Sequence, residues 1–220
     1  MYFKDRISAG KYLARFFNHV SGEDAVVYAL PRGGVIVGAE IAKAIRAPLD
    51  LIITRKIGHP DQPEYAIGAV AEDGHSVLDK EAVMKVDEQY ITDEAVKQKQ
   101  EAKRRREAYL GSRQPISCNG KIAIVVDDGI ATGLTIKAAI KELKIHYSPR
   151  RIIVAVPIAP RDVVVEWKKE GVEVLPIITI KDFSGSLGSY YLKFPPINDN
   201  EVIKVIRDTE KHKHISTLTV

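Results

Sequence analysis

The sequence predicts an α/β protein built on a parallel sheet, and three observations predict it. Apolar runs of strand length alternate with segments of helical periodicity along most of the chain. The run Ile122–Val126 is apolar and β-branched throughout, as a strand buried on both faces must be. The 220 residues are 45% apolar and 28% charged, which is the balance of a folded domain with a sizeable core.

Taken in order, residues 3–20 read as an amphipathic helix with Leu13, Phe16, Phe17 and Val20 on one stripe. Residues 25–30 read as a strand, 35–46 as a helix stopped before Pro48, and 49–54 as a second strand. Residues 55–120 interrupt the alternation. Within them 66–71 and 76–78 form a hairpin around Glu72-Asp73-Gly74, and 80–110 is polar and helix-favouring. The expected organisation is one domain over 1–220 with an inserted subdomain at 58–118, serving as a lid or a docking surface. Strand 122–127, helix 136–145, strand 151–156, helix 160–170 and strand 172–178 resume the alternation, and a C-terminal helix follows at 198–208. The tail Lys211–His214 reads as a frayed end, its histidines solvated. Helices are expected on both faces, with ligands at the carboxyl ends of the strands.

Bulk properties narrow the function. Cys118 is the single cysteine, so an internal disulfide and a cysteine zinc cluster are excluded. No apolar stretch is long enough to span a membrane and the N-terminus has no signal-peptide pattern; a cytoplasmic location is the default expectation. The net charge of +4 suits a polyphosphate substrate, and equally a mildly basic protein with no nucleic-acid role.

The densest chemistry lies at 122–135. The strand ends in two carboxylates, Asp127 and Asp128. The loop Ala131-Thr132-Gly133-Leu134-Thr135 follows and opens a helix. Loop N–H groups and a helix N-terminus suit a phosphate dianion, and Thr132 and Thr135 add hydroxyl donors. The carboxylates can accept from vicinal ribose hydroxyls, directly or around Mg2+. Asp-Asp-Gly is also an ordinary turn and Thr an ordinary helix cap; the ordered combination after a buried strand favours the sugar-phosphate device. Leu30-Pro31-Arg32-Gly33-Gly34 closes the first strand. Its adjacent glycines allow a tight turn, and Arg32 offers a forked phosphate donor. Arg55 and Lys56 end the second strand as two cations or as a solvated strand end. Residues 97–113 hold seven Lys/Arg and two Glu, a solvated face, a mobile arm or a nucleic-acid patch.

Residues 122–135 resemble the phosphoribosyl-pyrophosphate (PRPP) signature of type I phosphoribosyltransferases, with Gly129 standing where that family more often has an aliphatic or small polar residue. The resemblance covers about 25–57 and 121–180. It implies a Rossmann-like parallel-sheet core, and a C-terminal hood in which an aromatic, Phe183, stacks on a base. It implies transfer of the 5-phosphoribosyl group of PRPP to a nucleobase-like nitrogen acceptor with release of pyrophosphate, assisted by Mg2+. Asp127 and Asp128 would hold the ribose and the metal, directly or through water. Residues 131–135 would hold the 5′-phosphate, and Arg32, Gly33, Gly34, Arg55 and Lys56 the pyrophosphate. Asp127, Asp128, Arg32 and Lys56 would form the catalytic group. Ala131 stands where hypoxanthine/guanine enzymes carry Asp, which counts against a 6-oxopurine acceptor unless Glu64 or Asp182 compensates. A homodimer is the expected assembly. The other class of function is a PRPP-sensing regulator that binds nucleic acid through 97–113; no separate DNA-binding segment is evident.

Overall fold

The computed structural model describes residues 2–181 and 186–217, and its chain forms two compact units. The first comprises residues up to Leu51, Gln114–Ala131 and the chain from Tyr147 onward; the second comprises Ile52–Arg113 and Thr132–His146.

The first unit carries a five-stranded sheet of β1 (Ala25–Ala29), β2 (Leu49–Leu51), β6 (Ile122–Val126), β7 (Arg151–Pro160) and β8 (Glu173–Ile180). Every pairing in it is parallel and the order is β2-β1-β6-β7-β8. β1 and β6 are buried along their whole length, which is why both read as unbroken apolar runs. The chain runs outward from β1 to β2 on one side, and from β6 through β7 to β8 on the other. The carboxyl ends of β1 and β6, with Ala29 opposite Val126, are therefore the topological switch point. Helices α1 (Arg6–Ala14), α2 (Gly33–Ile45), α5 (Arg161–Lys169) and α6 (Asp199–Thr217) complete this unit.

The second unit is an antiparallel sheet, β3 (Thr54–Gly58), β4 (Ala66–Ala71) and β5 (Ser76–Leu78), with α3 (Glu88–Leu110) and α4 (Leu134–His146). Ile57, Ile67, Val70 and Val86 form its core beside Tyr90, Ile91 and Ala95 of α3. Leu134 and Ala138 of α4 pack on Ala69.

Several boundaries differ from the sequence reading. The first helix stops at Ala14 and passes into a 3-10 turn, Arg15–Phe17. The change of pitch breaks the expected stripe: Leu13 and Phe17 are buried while Phe16 is 45% exposed. The apolar run 49–54 is not one strand. Pairing with β1 ends at Ala29–Leu51 because β1 gives way to a turn and helix there, and Thr54 onward pairs with β4 instead. Residues 211–214 belong to α6 rather than to a frayed tail. No helix among the described residues is long and apolar enough to cross a membrane.

Candidate active site

Asp127 and Asp128 emerge where β6 ends, beside the Gly33-Gly34 start of α2 at the end of β1. The two segments touch closely. A Cβ on Gly33 would lie 1.9 Å from Asp128 Oδ2, and one on Gly34 would lie 2.7 Å from the Val126 carbonyl and 2.8 Å from Asp127 Cα. The glycines are required first by the acidic pair. At Gly34 the obstruction is backbone, which cannot move aside. Gly34→Ala should therefore cost roughly 1–3 kcal/mol of stability by overpacking, checked by denaturant unfolding against wild type.

Arg6 completes the arrangement. Its Nε donates to Asp128 Oδ2 at 2.7 Å, its Nη1 donates to the Pro195 carbonyl at 2.8 Å, and its guanidinium lies 3.6 Å from the centroid of the Phe194 ring. The Arg6 and Asp128 side chains are only 9% and 14% exposed. Tyr191 donates its hydroxyl to the Asp128 carbonyl at 2.7 Å and packs its ring on Phe194. Burial raises the Tyr191 phenol well above its ordinary range, so it stays a donor. The N-terminal helix and the segment after β8 thus clamp Asp128 from outside the motif.

The two carboxylates are not equivalent. Asp127 Oδ1 accepts the Asp128 backbone N–H at 2.8 Å. Desolvation, and then the charge of Asp128, push the Asp127 carboxyl well above its ordinary value. Gly129 follows, and a Cβ there would meet Leu187 Cδ2 at 2.6 Å, so Leu187 fills the space an aliphatic side chain would take.

The chain then enters the loop. Gly133 has φ +76°, a left-handed conformation that favours glycine, and α4 begins at the next residue. The loop thus delivers Leu134 and Thr135 to the first turn of a helix, where N–H groups are unpaired by neighbours in the helix.

The other expected residues have different surroundings. Arg32, joined to Pro31 by a cis peptide, donates from Nη1 to the Ile197 carbonyl at 2.9 Å and sets Nε 3.2 Å from Asp199 Oδ1, at the start of α6. Arg55 and Lys56 do not end a strand of the parallel sheet; they begin β3 in the second unit. Arg55 Nε donates to Gln98 and Lys56 Nζ pairs with Glu64 Oε2 at 2.6 Å. Phe183 and Asp182 lie outside the described residues. Arg6 was missed because it lies 122 positions from Asp128. Tyr190-Tyr191 with Phe194 is visible in sequence as an aromatic cluster after the last strand, expected to pack the C-terminal helix or join the hood. Nothing in the sequence signals that Tyr191 donates to the Asp128 carbonyl or that Phe194 lies under Arg6.

The family model of the phosphoribosyl transferase domain matches residues 6–194, from Arg6 to Phe194. Two Mycobacterium tuberculosis proteins, from strains CDC 1551 / Oshkosh and H37Rv, each named "putative phosphoribosyl transferase", are 41% identical over 203 residues. That alignment takes in 91% of this chain and 45% of theirs, so the chain spans about half the length of these relatives. The crystal structure of TT1426 from Thermus thermophilus superposes with a TM-score of 0.76 at 38% identity, over 94% of this chain and 99% of that one. The chain belongs to the phosphoribosyl transferase domain family.

Proposed function

We propose that the protein transfers the 5-phosphoribosyl group of PRPP to a nitrogen acceptor, releasing pyrophosphate. The observation that carries this reading is the carboxylate pair at the switch point of the parallel sheet, with one carboxylate clamped by Arg6 and the chain continuing into a Thr/Gly loop that opens a helix. Asp127 and Asp128 would accept the ribose hydroxyls, with Asp128 held in one orientation by Arg6 and Tyr191. Residues 131–135 would anchor the 5′-phosphate, remote from the bond that breaks, so that binding energy fixes the reacting carbon. Gly33, Gly34 and Arg32 would face the leaving pyrophosphate, Arg32 exchanging Asp199 for phosphate oxygens. Attack at C1 passes through an oxocarbenium-like state, in which charge builds on the pyrophosphate. Desolvation and the neighbouring Asp128 charge disfavour an ionised Asp127, so a cation at the pair would relieve that cost. This fits Mg2+ bound at Asp127 and Asp128, directly or through water; the ion would supply charge neutralisation to the pyrophosphate.

The regulator reading draws less support. Four cations of the basic stretch have acidic partners: Lys97 pairs with Glu94, Arg104 and Arg105 with Glu101, and Arg106 with Glu72. Glu101, bonded first by Arg104 and then by Arg105, has its pKa lowered to about 2. These acidic partners reduce the net positive charge that the stretch presents to a phosphate backbone.

The test is pyrophosphate release with PRPP, Mg2+ and equal adenine, guanine, hypoxanthine, uracil and orotate, beside thermal unfolding with PRPP. We expect stabilisation of about 2.7 kcal/mol at one hundred times the dissociation constant. Guanine and hypoxanthine should be the slow acceptors, because Ala131 offers a methyl group where a carboxylate would assist purine protonation. No stabilisation by millimolar PRPP and Mg2+ would remove the proposal; salt-dependent RNA or DNA binding in its place would favour the regulator.

A further inference from the structure

Away from the acidic pair, the second unit gathers another set of donors. The turn between β4 and β5 carries Asp73-Gly74-His75, and α4 ends at His146. Gly74 has φ +102°, a left-handed turn residue that brings the side chains on either side of it together. His75 Nδ1 lies 2.6 Å and His146 Nε2 lies 2.8 Å from the same oxygen, Asp73 Oδ2. The other oxygen, Oδ1, accepts the His75 backbone N–H at 2.9 Å, which fixes the carboxylate plane. Among the described residues, these three bring one ligand atom each within 4.8 Å of one another.

We propose that Asp73, His75 and His146 form a binding site for a divalent transition ion of the zinc class, which fastens the β4–β5 turn to the end of α4. Two imidazoles and one carboxylate are a donor set for Zn2+ or Co2+ rather than for Mg2+ or Ca2+, which prefer oxygen ligands. The backbone N–H on Oδ1 is the outer bond that orients a ligating carboxylate. Ligands about 2.1 Å from a tetrahedral ion stand roughly 3.4 Å apart, so from 2.6 and 2.8 Å the two histidines need to swing out by about 0.6–0.8 Å. Their side chains are 40% and 46% exposed, which allows that movement and leaves the remaining coordination position to water. Asp73, at 13% exposure, is the fixed member. Lys141 on α4 already donates to the Ser76 carbonyl at 3.1 Å, so the ion would reinforce an existing junction. Lys99 lies against Gly74 and is the nearby cation against which the ion must bind.

The experiment uses the full chain with any affinity tag removed, treated with chelator and exchanged into buffer holding millimolar Mg2+ to occupy hard-cation sites. Zn2+ is titrated calorimetrically, and Co2+ is added separately and read by its visible absorption. One equivalent should bind. His75→Gln and His146→Gln should each weaken Zn2+ binding at least tenfold and abolish the Co2+ band. His212→Gln with His214→Gln should change neither. Circular dichroism of each variant without metal should match wild type; because both histidines are half-exposed, two separate variants guard against one failing to fold. Failure of wild type to bind overturns the proposal. So does binding that survives both His75→Gln and His146→Gln, or that is lost only with His212 and His214.

Discussion

Arg6→Met should destabilise the protein by about 3–5 kcal/mol, the usual cost of removing one partner from a buried ion pair. At roughly 2–4 °C per kcal/mol for a chain of this size, the melting temperature should fall by about 10 °C. Methionine keeps most of the volume but leaves the Asp128 carboxylate, 14% exposed, beside a second carboxylate with no cation against it. It also strips a donor from the Pro195 carbonyl and the guanidinium from the Phe194 ring. Adding Asp128→Asn to Arg6→Met removes the stranded charge, so the double variant should be more stable than Arg6→Met alone. The loss should persist at high salt, since a desolvated pair is poorly screened. Unfolding measured across this cycle checks the claim. A loss below about 0.5 kcal/mol, the range of ordinary surface changes, would mean that Arg6 is a bystander.

Arg6 also shows where sequence reading stops. The acidic pair, the Gly-Gly turn and the strands that present them are local patterns, and Ile122–Val126 or Leu30–Gly34 announces its structure within a few residues. Arg6 meets Asp128 across 122 positions, and as a single cation opening a helix it carries no periodicity that points there. Gly33 and Gly34 were legible as a turn but not as space kept for the neighbouring carboxylates, because that demand comes from the β1–β6 register. The split of residues 49–58 was hidden for a related reason. Val, Ile and Leu extend equally well into a parallel or an antiparallel partner, and only tertiary pairing decides between them. The hairpin, by contrast, was readable because Asp-Gly turns fix register locally.

Asp127→Asn should move stability and ligand binding in opposite directions. The folded protein raises the Asp127 carboxyl pKa, through desolvation first and the Asp128 charge second. A raised acid binds its proton more tightly when folded than when unfolded. Its favourable contribution is therefore complete below the unfolded carboxyl value, about 3.9, and is lost as pH rises through the folded value. Above the unfolded value the folded protein bears a cost at Asp127 that the unfolded chain does not, because burial and Asp128 oppose its ionisation. Asparagine keeps an oxygen for the Asp128 backbone N–H and removes that titration. The variant should melt above wild type at pH 7–8, by a few degrees if the relief is worth about 1 kcal/mol. The difference should close towards pH 4, where wild type is itself protonated. Binding of PRPP with Mg2+ should weaken by roughly 1.5–3 kcal/mol, or about 10–150-fold, because a charged acceptor has become a neutral one. Melting curves across pH and a PRPP titration read the two effects separately. A variant less stable than wild type at pH 7 would show that Asp127 is a structural acceptor, whereas one that is more stable but binds PRPP poorly has the trade expected of a group held at a cost for its ligand.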